Sequence, residues 1–229
     1  MKKTSNLNSY RLSAISFFTT NKKLRFINTI KGCFILSSMC LFFTNVSFAQ
    51  DITKNGSTIS GEIEVKGVRD ARDVVVFLEN VNGDFKPPAN NPSIGQKNLI
   101  FKPHVLPVLV GTTVEYPNND NVMHNVFSPS KTKKFNLGTY GSGEVREVTF
   151  DKPGVVTILC NVHTEMSAFI VILENPYFSL TGPEGEFTIN NIPPGTYTIK
   201  TWHEKLKEQE QEITLLQDEN KTINFALTR

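Results

Sequence analysis

The chain has 229 residues, with 24 basic side chains (Lys and Arg) against 22 acidic ones (Asp and Glu). Seven of the basic and none of the acidic side chains lie in residues 1–49, so the rest of the chain holds 17 basic and 22 acidic side chains, a net charge of −5. This acidic remainder lacks the clustered Lys and Arg of nucleic-acid-binding proteins, and we expect no nucleic-acid partner. The remaining length, about 180 residues, is enough for one domain or two small ones.

Residues 1–49 are predicted to be a signal peptide. An uncharged run covers residues 32–49, after the basic stretch, and Ser47 and Ala49 supply the small residues that signal peptidase requires. The alternative is an uncleaved membrane anchor, because a run of 18 residues is close to the length that spans a bilayer. With cleavage, we expect a periplasmic protein without a membrane span.

Export would leave one thiol in the mature chain, Cys160, because Cys33 and Cys40 lie in the leader. Exported domains usually pair their cysteines. A lone cysteine outside the cytosol is therefore expected to be buried and inert, paired with another chain, or bound to a metal.

The body of the chain has the pattern of short strands separated by Gly, Pro and Asn turns, which is typical of an all-β protein made of β-sandwiches. The predicted strands are Thr58–Val65, Val74–Leu78, Leu106–Val110, Thr113–Tyr116, Glu144–Phe150, Val155–Cys160, Ala168–Leu173, Gly185–Ile189 and Tyr197–Trp202. Residues 204–221 have a helix-favouring composition. They also fit a polar hairpin around residues 218–220, and we predict the hairpin.

A group of metal-binding side chains follows the predicted strand that ends at Cys160. Cys160, His163 and Met166 form a C-x2-H-x2-M motif, and His124 adds a second imidazole 36 residues before the cysteine. One Cys and two His with a weak axial Met are the donor set of a blue-copper site. Thiolate and thioether sulfur suit Cu(I), and imidazole suits both oxidation states.

Other ligands and other metals remain open at this point. Zinc prefers four strong ligands and seldom takes a thioether, but Glu165 offers an oxygen donor that would suit it. His104 and His203 are expected to be ordinary strand-end histidines rather than secondary metal ligands. The lysines of residues 131–134 are expected to form a solvated loop, with a docking patch for an acidic redox partner as the alternative.

The sequence around these donors resembles the cupredoxins, the plastocyanin-like blue copper proteins. The resemblance is carried by Val110-Gly-Thr-Thr-Val-Glu-Tyr-Pro-Asn-Asn-Asp120, by the His-Asn-Val that begins at His124, by Phe150-Asp-Lys-Pro-Gly154 and by the C-x2-H-x2-M motif. It covers about residues 94–175, and the compact spacing of the motif is most like that of amicyanin.

The resemblance implies a role for each donor. It makes His124, Cys160 and His163 the equatorial ligands of one type 1 copper ion and Met166 the axial ligand. It also implies that the backbone of Asn125 hydrogen-bonds the cysteine sulfur, a contact of the kind that tunes a metal's potential. The strand before the cysteine often carries Tyr in cupredoxins, whereas this chain has Val156 and Ile158, which leaves the core packing open.

A second resemblance covers the C-terminal part. Residues 178–199 resemble the carboxypeptidase regulatory-like domain, a transthyretin-like β-sandwich, and the strand pair that precedes this segment in that family matches residues 59–63 and 74–78. We therefore predict a sandwich split into residues 50–93 and 176–229, with the cupredoxin domain, residues 94–175, inserted in a loop. The alternative is a plain N-terminal extension. The composite resembles the plastocyanin-like methylamine utilisation proteins.

These observations predict a periplasmic electron-transfer protein with one type 1 copper ion and redox partner proteins that dock transiently. The alternative is a copper carrier or sensor with the same ligands. We do not expect an enzyme, since the chain has only four histidines, two of them assigned to the copper. It also has no Ser/His/Asp set, no C-x-x-C-H haem motif and no Gly-rich phosphate loop.

Overall fold

The computed structural model describes residues 56–229, and the predicted signal peptide lies outside this range. The described chain contains strands and no helix, which confirms the all-β prediction. Within this range, therefore, no helix has the length and apolarity that crossing a bilayer requires. The strands are β1 (Ser57–Lys66), β2 (Val75–Glu79), β3 (Gly95–Lys97), β4 (Ile100–Lys102), β5 (Val105–Leu109), β6 (Thr112–Pro117), β7 (His124–Ser128), β8 (Phe135–Tyr140), β9 (Val145–Phe150), β10 (Gly154–Leu159), β11 (Ser167–Leu173), β12 (Phe178–Leu180), β13 (Glu186–Ile192), β14 (Gly195–Trp202), β15 (Glu210–Leu215), β16 (Asn220–Thr222) and β17 (Phe225–Thr228).

The first sandwich is built from the two N-terminal strands and the six C-terminal ones. One sheet has the order β13-β1-β16, with β17 also paired to β1, and the other has the order β12-β2-β14-β15. Ile59 and Ile63 of β1 point into the core between the sheets, where they pack in one cluster with Leu78 of β2 and Ile199 of β14. The alternation of buried and exposed residues along β1 is what a sheet with one solvated face requires.

The second sandwich is built from β3 to β11. Its main sheet has the order β5-β11-β10-β7-β8 and packs against the pair β6-β9 and the hairpin β3-β4. The core between these layers is apolar and includes Val156 and Ile158, the positions where cupredoxins often carry Tyr. Both side chains are fully buried, so β10 is packed in the core up to the loop that begins at Cys160.

A third apolar cluster joins the two sandwiches. It consists of Val75 of β2, Val105 of β5, and Val171 and Leu173 of β11. Four partly buried aromatic side chains pack against it: Phe77, Phe169, Phe178 and Trp202. Since β2 and β11 are covered on both faces, their sequences are continuous apolar runs rather than alternating ones.

The prediction of a hairpin in residues 204–221 is wrong in its pairing. The segment contains β15 and the first two residues of β16, but β15 pairs with β14 and β16 pairs with β1, in the two opposite sheets of the first sandwich. Residues 216–219 therefore cross from one sheet to the other. The alternation of Ile213 and Leu215 with exposed side chains buries one face of β15 in the shared core, which a helix or a solvated hairpin would not do.

Candidate metal centre

The loop between β10 and β11 carries three of the four predicted ligands. The two strands pair antiparallel up to Leu159 and Ser167, so the seven residues between them must turn back within a short distance. The Cys160 amide donates to the Met166 carbonyl (3.4 Å), and the Met166 amide donates to the His163 carbonyl (3.1 Å). These bonds close the loop on itself and hold its side chains near one another.

The fourth predicted ligand comes from the neighbouring strand. His124 is the first residue of β7, which pairs with β10 through Phe127 and Leu159. This pairing places the Asn125 amide 3.5 Å from the Cys160 sulfur, to which it donates. The backbone contact implied by the cupredoxin resemblance is therefore present.

Three donor atoms converge at the end of β10. The Nδ1 atoms of His124 and His163 are 3.1 Å apart, and the Cys160 sulfur is 4.0 Å from His163 Nδ1. All three donors lie within 4.8 Å of one another. Bonds from a metal such as zinc are about 2.0 Å to nitrogen and about 2.3 Å to thiolate sulfur, so one ion can join donors about 4 Å apart. The two separations measured here fit such an ion.

The donors differ in their exposure to solvent. The side chains of His124 (0% exposed) and Cys160 (4%) are buried, and Cys160 is a free thiol. Met166 (1%) is buried in the same apolar cluster as Cys160, and its role as axial ligand remains a prediction. His163 alone among the four is partly exposed.

Asp120 orients His124 and was missed by the sequence analysis. Its carboxylate accepts a hydrogen bond from His124 Nε2 at 2.8 Å, and the side chain is 10% exposed. Because a carboxylate only accepts, Nε2 carries the proton and Nδ1 is left with a lone pair facing the other donors. The sequence shows this residue four positions before His124, in the run Pro117-Asn-Asn-Asp120, which has the composition of a simple turn.

The environment of Asp120 keeps it ionised. Burial raises the pKa of the carboxyl group, but the backbone amide of Leu99, the His124 ring and the backbone amide of Asn98 all donate to it, and the pKa is lowered overall. Hydrogen bonds to the charged form of an acid favour that form. A negative charge therefore lies behind the buried imidazole.

The remaining candidate ligands lie outside this group. Glu165 is exposed on the loop and is not among the converging donors. His104 pairs with Glu204 (3.1 Å) and His203 accepts a hydrogen bond from the Lys205 amide (3.1 Å). Burial is the main cause that lowers the pKa of His203. Among the described residues, only one group of three or more His, Cys, Asp or Glu side chains is close enough to share an ion. It consists of His124, Cys160 and His163.

Exposed apolar side chains lie next to the histidine ligands and to Asp120 along the chain or in the fold. Val122 and Met123 directly precede His124, Val162 directly precedes His163, and Leu99 donates its backbone amide to Asp120. Their exposed fractions are 45%, 56%, 48% and 47%, respectively. We call these four residues the apolar rim. Exposed clusters of this kind mark interaction sites in soluble proteins.

Comparison with known proteins identifies part of the chain. Residues 168–228 match the family model of the carboxypeptidase regulatory-like domain. The motifs around the metal centre resemble those of the cupredoxins. The chain combines a cupredoxin-like β-sandwich with a carboxypeptidase regulatory-like β-sandwich. No curated protein matches the chain.

Three similar solved structures have low identity and low TM-scores. A purple cupredoxin from Nitrosopumilus maritimus is 25% identical, with a TM-score of 0.33 over 36% of this chain and 100% of that one. Amicyanin from Paracoccus versutus (Thiobacillus versutus) is 19% identical, with a TM-score of 0.35 over 38% and 92% of the two chains. A Cu-containing nitrite reductase from Thermus scotoductus SA-01 is 24% identical, with a TM-score of 0.37 over 49% and 28%.

The start of the regulatory-like match coincides with a strand of the other sandwich. The match begins at Ala168, within β11, which pairs with β10 and β5. In the first sandwich β14 pairs with β2 on one side and with β15 on the other. Both β2 and β11 are apolar runs that end in Leu-Glu-Asn, at residues 78–80 and 173–175. The match includes β11, which belongs to the main sheet of the second sandwich and not to the sheets of the first.

Proposed function

We propose that this protein is a periplasmic electron carrier with a single type 1 copper ion held by His124, Cys160, His163 and Met166. The observation that supports it is the convergence of one thiolate and two imidazole nitrogens from β7 and one short loop. This donor set, with a buried Met alongside, suits copper better than zinc. When bound, copper supplies one-electron chemistry by alternating between Cu(I) and Cu(II).

The side chains around the metal centre would have different roles, which depend on their positions. Asp120 keeps the proton on His124 Nε2, so that the facing Nδ1 is free to bind. The Asn125 amide donates to the Cys160 sulfur and holds it in place beside the two imidazoles. Because both contacts belong to buried groups, the ligands are fixed before the metal arrives and need not move when its charge changes.

His163 would be the point at which electrons enter and leave. It is the partly exposed donor. Val162 of the apolar rim directly precedes it, and Val122 and Met123 directly precede His124, whose ring centroid lies 4.8 Å from that of the His163 ring. Exposed apolar side chains near a single partly exposed ligand suit the small, short-lived interfaces of redox proteins. We infer that partner proteins dock there transiently and that no substrate is bound or transformed, which makes the protein a carrier rather than an enzyme.

The visible spectrum of the Cu(II)-loaded protein tests the proposal. We expect an intense blue charge-transfer band from the copper–thiolate bond, lost in Cys160→Ala and retained in Thr164→Ala, which changes an exposed residue of the same loop. A colourless Cu(II) complex of the wild-type protein would contradict the proposal.

The rates of electron exchange and of copper release distinguish an electron carrier from a copper carrier or sensor with the same ligands. For an electron carrier we expect repeated reduction and oxidation with full retention of copper, and slow loss of copper to a chelator. Rapid surrender of copper together with slow electron exchange would favour the carrier or sensor instead.

A further inference from the structure

A carboxylate of the first sandwich reaches a histidine of the second. Glu204 follows β14, and its Oε1 atom lies 3.1 Å from Nε2 of His104, which directly precedes β5. The Glu204 side chain is 18% exposed and the His104 side chain 35%. These two residues are 100 positions apart in the chain and form a hydrogen bond across the junction between the sandwiches.

The second ring nitrogen of His104 contacts the end of the metal-ligand loop. His104 Nδ1 lies 3.1 Å from the carbonyl oxygen of Ser167, the residue directly after Met166. The Phe169 amide donates to the His104 carbonyl (2.8 Å), and the Phe169 ring meets the imidazole edge to face, with centroids 5.4 Å apart. His104 is thus held in one orientation by three residues, Glu204, Ser167 and Phe169, the last two of which belong to β11.

We call the two contacts that link Glu204, His104 and the Ser167 carbonyl the bridge. The polar groups that form the bridge suit one another. Both partners of the His104 ring, a carboxylate and a carbonyl, are hydrogen-bond acceptors, so each ring nitrogen faces a group to which it can donate. Burial raises the pKa of Glu204, but hydrogen bonds from Lys205 and His104 outweigh it, and the pKa is lowered overall. Charge-assisted hydrogen bonds of this kind are stronger than neutral ones.

We propose that Glu204 is a positioning residue for the metal centre: through His104 it holds the Ser167 carbonyl and so fixes the end of the loop that carries Met166. The regulatory-like sandwich would then set the geometry of the copper ligands as well as packing beside them. This inference rests on the proposed function, since it concerns the ligands of that same copper site.

Two substitutions break the bridge at different points, and a third serves as a control. Glu204→Gln removes the charge, whereas His104→Phe removes both ring hydrogen bonds and keeps an aromatic ring against Phe169. Glu212→Gln removes the same charge from an exposed position of β15 on the same sandwich. In the metal-free protein we expect the Met166 amide to exchange with solvent several-fold faster in both bridge variants and unchanged in the control.

In the copper-loaded protein, the bridge variants should release copper to a chelator about tenfold faster, the lower end of the effect of outer-shell substitutions. Their reduction potential should also move, by up to the 59 mV that corresponds to a tenfold change in the relative affinity for Cu(I) and Cu(II). A contact that only stabilised the fold would leave the potential and the electron paramagnetic resonance spectrum unchanged.

The outcomes separate this inference from the proposed function. If wild-type protein forms a blue copper site and both bridge variants keep its potential, spectrum and copper release rate, the positioning role is wrong and the copper site stands. If wild-type protein forms no such site, the proposed function fails, and the hydrogen-exchange result still shows whether Glu204 holds the loop.

Discussion

The Asp120 carboxylate joins two elements of the second sandwich in addition to its own loop. Besides accepting from His124, it accepts from the amides of Asn98 (2.7 Å) and Leu99 (3.0 Å), the two turn residues of the β3–β4 hairpin. Both turn residues have positive φ angles, 57° and 59°, a conformation that is unfavourable for a bulky side chain such as leucine. The carboxylate therefore stabilises a strained turn and orients a ligand at once, and the turn presents Leu99 in the apolar rim.

Asp120→Asn should weaken copper binding. An asparagine side chain has one carbonyl oxygen for three donors, so His124 loses the charged acceptor that fixes its proton on Nε2. We expect affinity for copper to fall by about 10- to 100-fold, the usual effect of removing the outer-shell partner of a ligating histidine. Competition with a copper chelator of known affinity measures the change.

The matched control for this change is Asp151→Asn. Asp151 is an exposed carboxylate that pairs with Lys133 (3.0 Å) and touches no donor of the centre. The control should bind copper as wild type does. Equal affinities of the two variants would mean that His124 needs no carboxylate.

For single residues, the sequence predicts the metal ligands better than it predicts the residues that hold those ligands in place. Cys160, His163 and Met166 lie within seven residues, and thiolate, imidazole and thioether together leave few chemical roles. His104, by contrast, was predicted to be an ordinary strand-end histidine, because its partners Ser167 and Glu204 are 63 and 100 residues away. Contacts over such distances depend on how the strands pair, which single residues do not indicate.

At the scale of one element, β11 serves two cores. Ala168, Ile170 and Ile172 belong to the core of the second sandwich, and Val171 and Leu173 belong to the cluster between the sandwiches. Since successive residues of a strand point to opposite faces, this division follows from the period of two. The strand that begins directly after Met166 is therefore held from both sides.

Leu173→Ala and Ile172→Ala test this division. Each removes a buried aliphatic side chain, 6% and 2% exposed, and each should lower the free energy of unfolding by about 2–5 kcal/mol. Only Leu173→Ala should change the native fluorescence of Trp202, the single tryptophan, because Leu173 and Trp202 pack in the same cluster. Denaturant titration and native emission spectra measure the two effects. Equal emission changes in both variants would show that the faces are not separate.

The sequence predicted the long apolar strands and missed the short polar ones. All nine predicted strands are present, with ends shifted by a few residues. The missed strands have three to six residues and few buried side chains, as in β8 and β16, or begin within a run of turn-forming residues, as in β7. Such strands are defined by their neighbours in the sheet rather than by their own pattern.

At the scale of the whole molecule, the chain passes between the two sandwiches twice. It leaves the first sandwich after β2 and returns at β12, and Pro92 and Pro176, near the two crossing points, line the same apolar groove. Nearby ends are what an inserted domain requires. The boundaries at residues 93–94 and 175–176 remain a prediction, and the two crossings differ in accessibility.

The exposed crossing should be cut by protease without separating the pieces. Residues 86–91 are all exposed, whereas Asn175 is buried and donates to the Leu78 carbonyl (2.7 Å), so cleavage by a non-specific protease should fall in the first segment. Because β1 and β2 lie inside the sheets of the first sandwich, the cut chain should elute as a single species on a sizing column and show two fragments only on a denaturing gel. The copper spectrum should survive the cut, since every predicted ligand lies in the C-terminal fragment. If the N-terminal fragment instead separated under native conditions, β1 and β2 would be an extension that the rest of the fold does not need, and the split-domain prediction would be wrong.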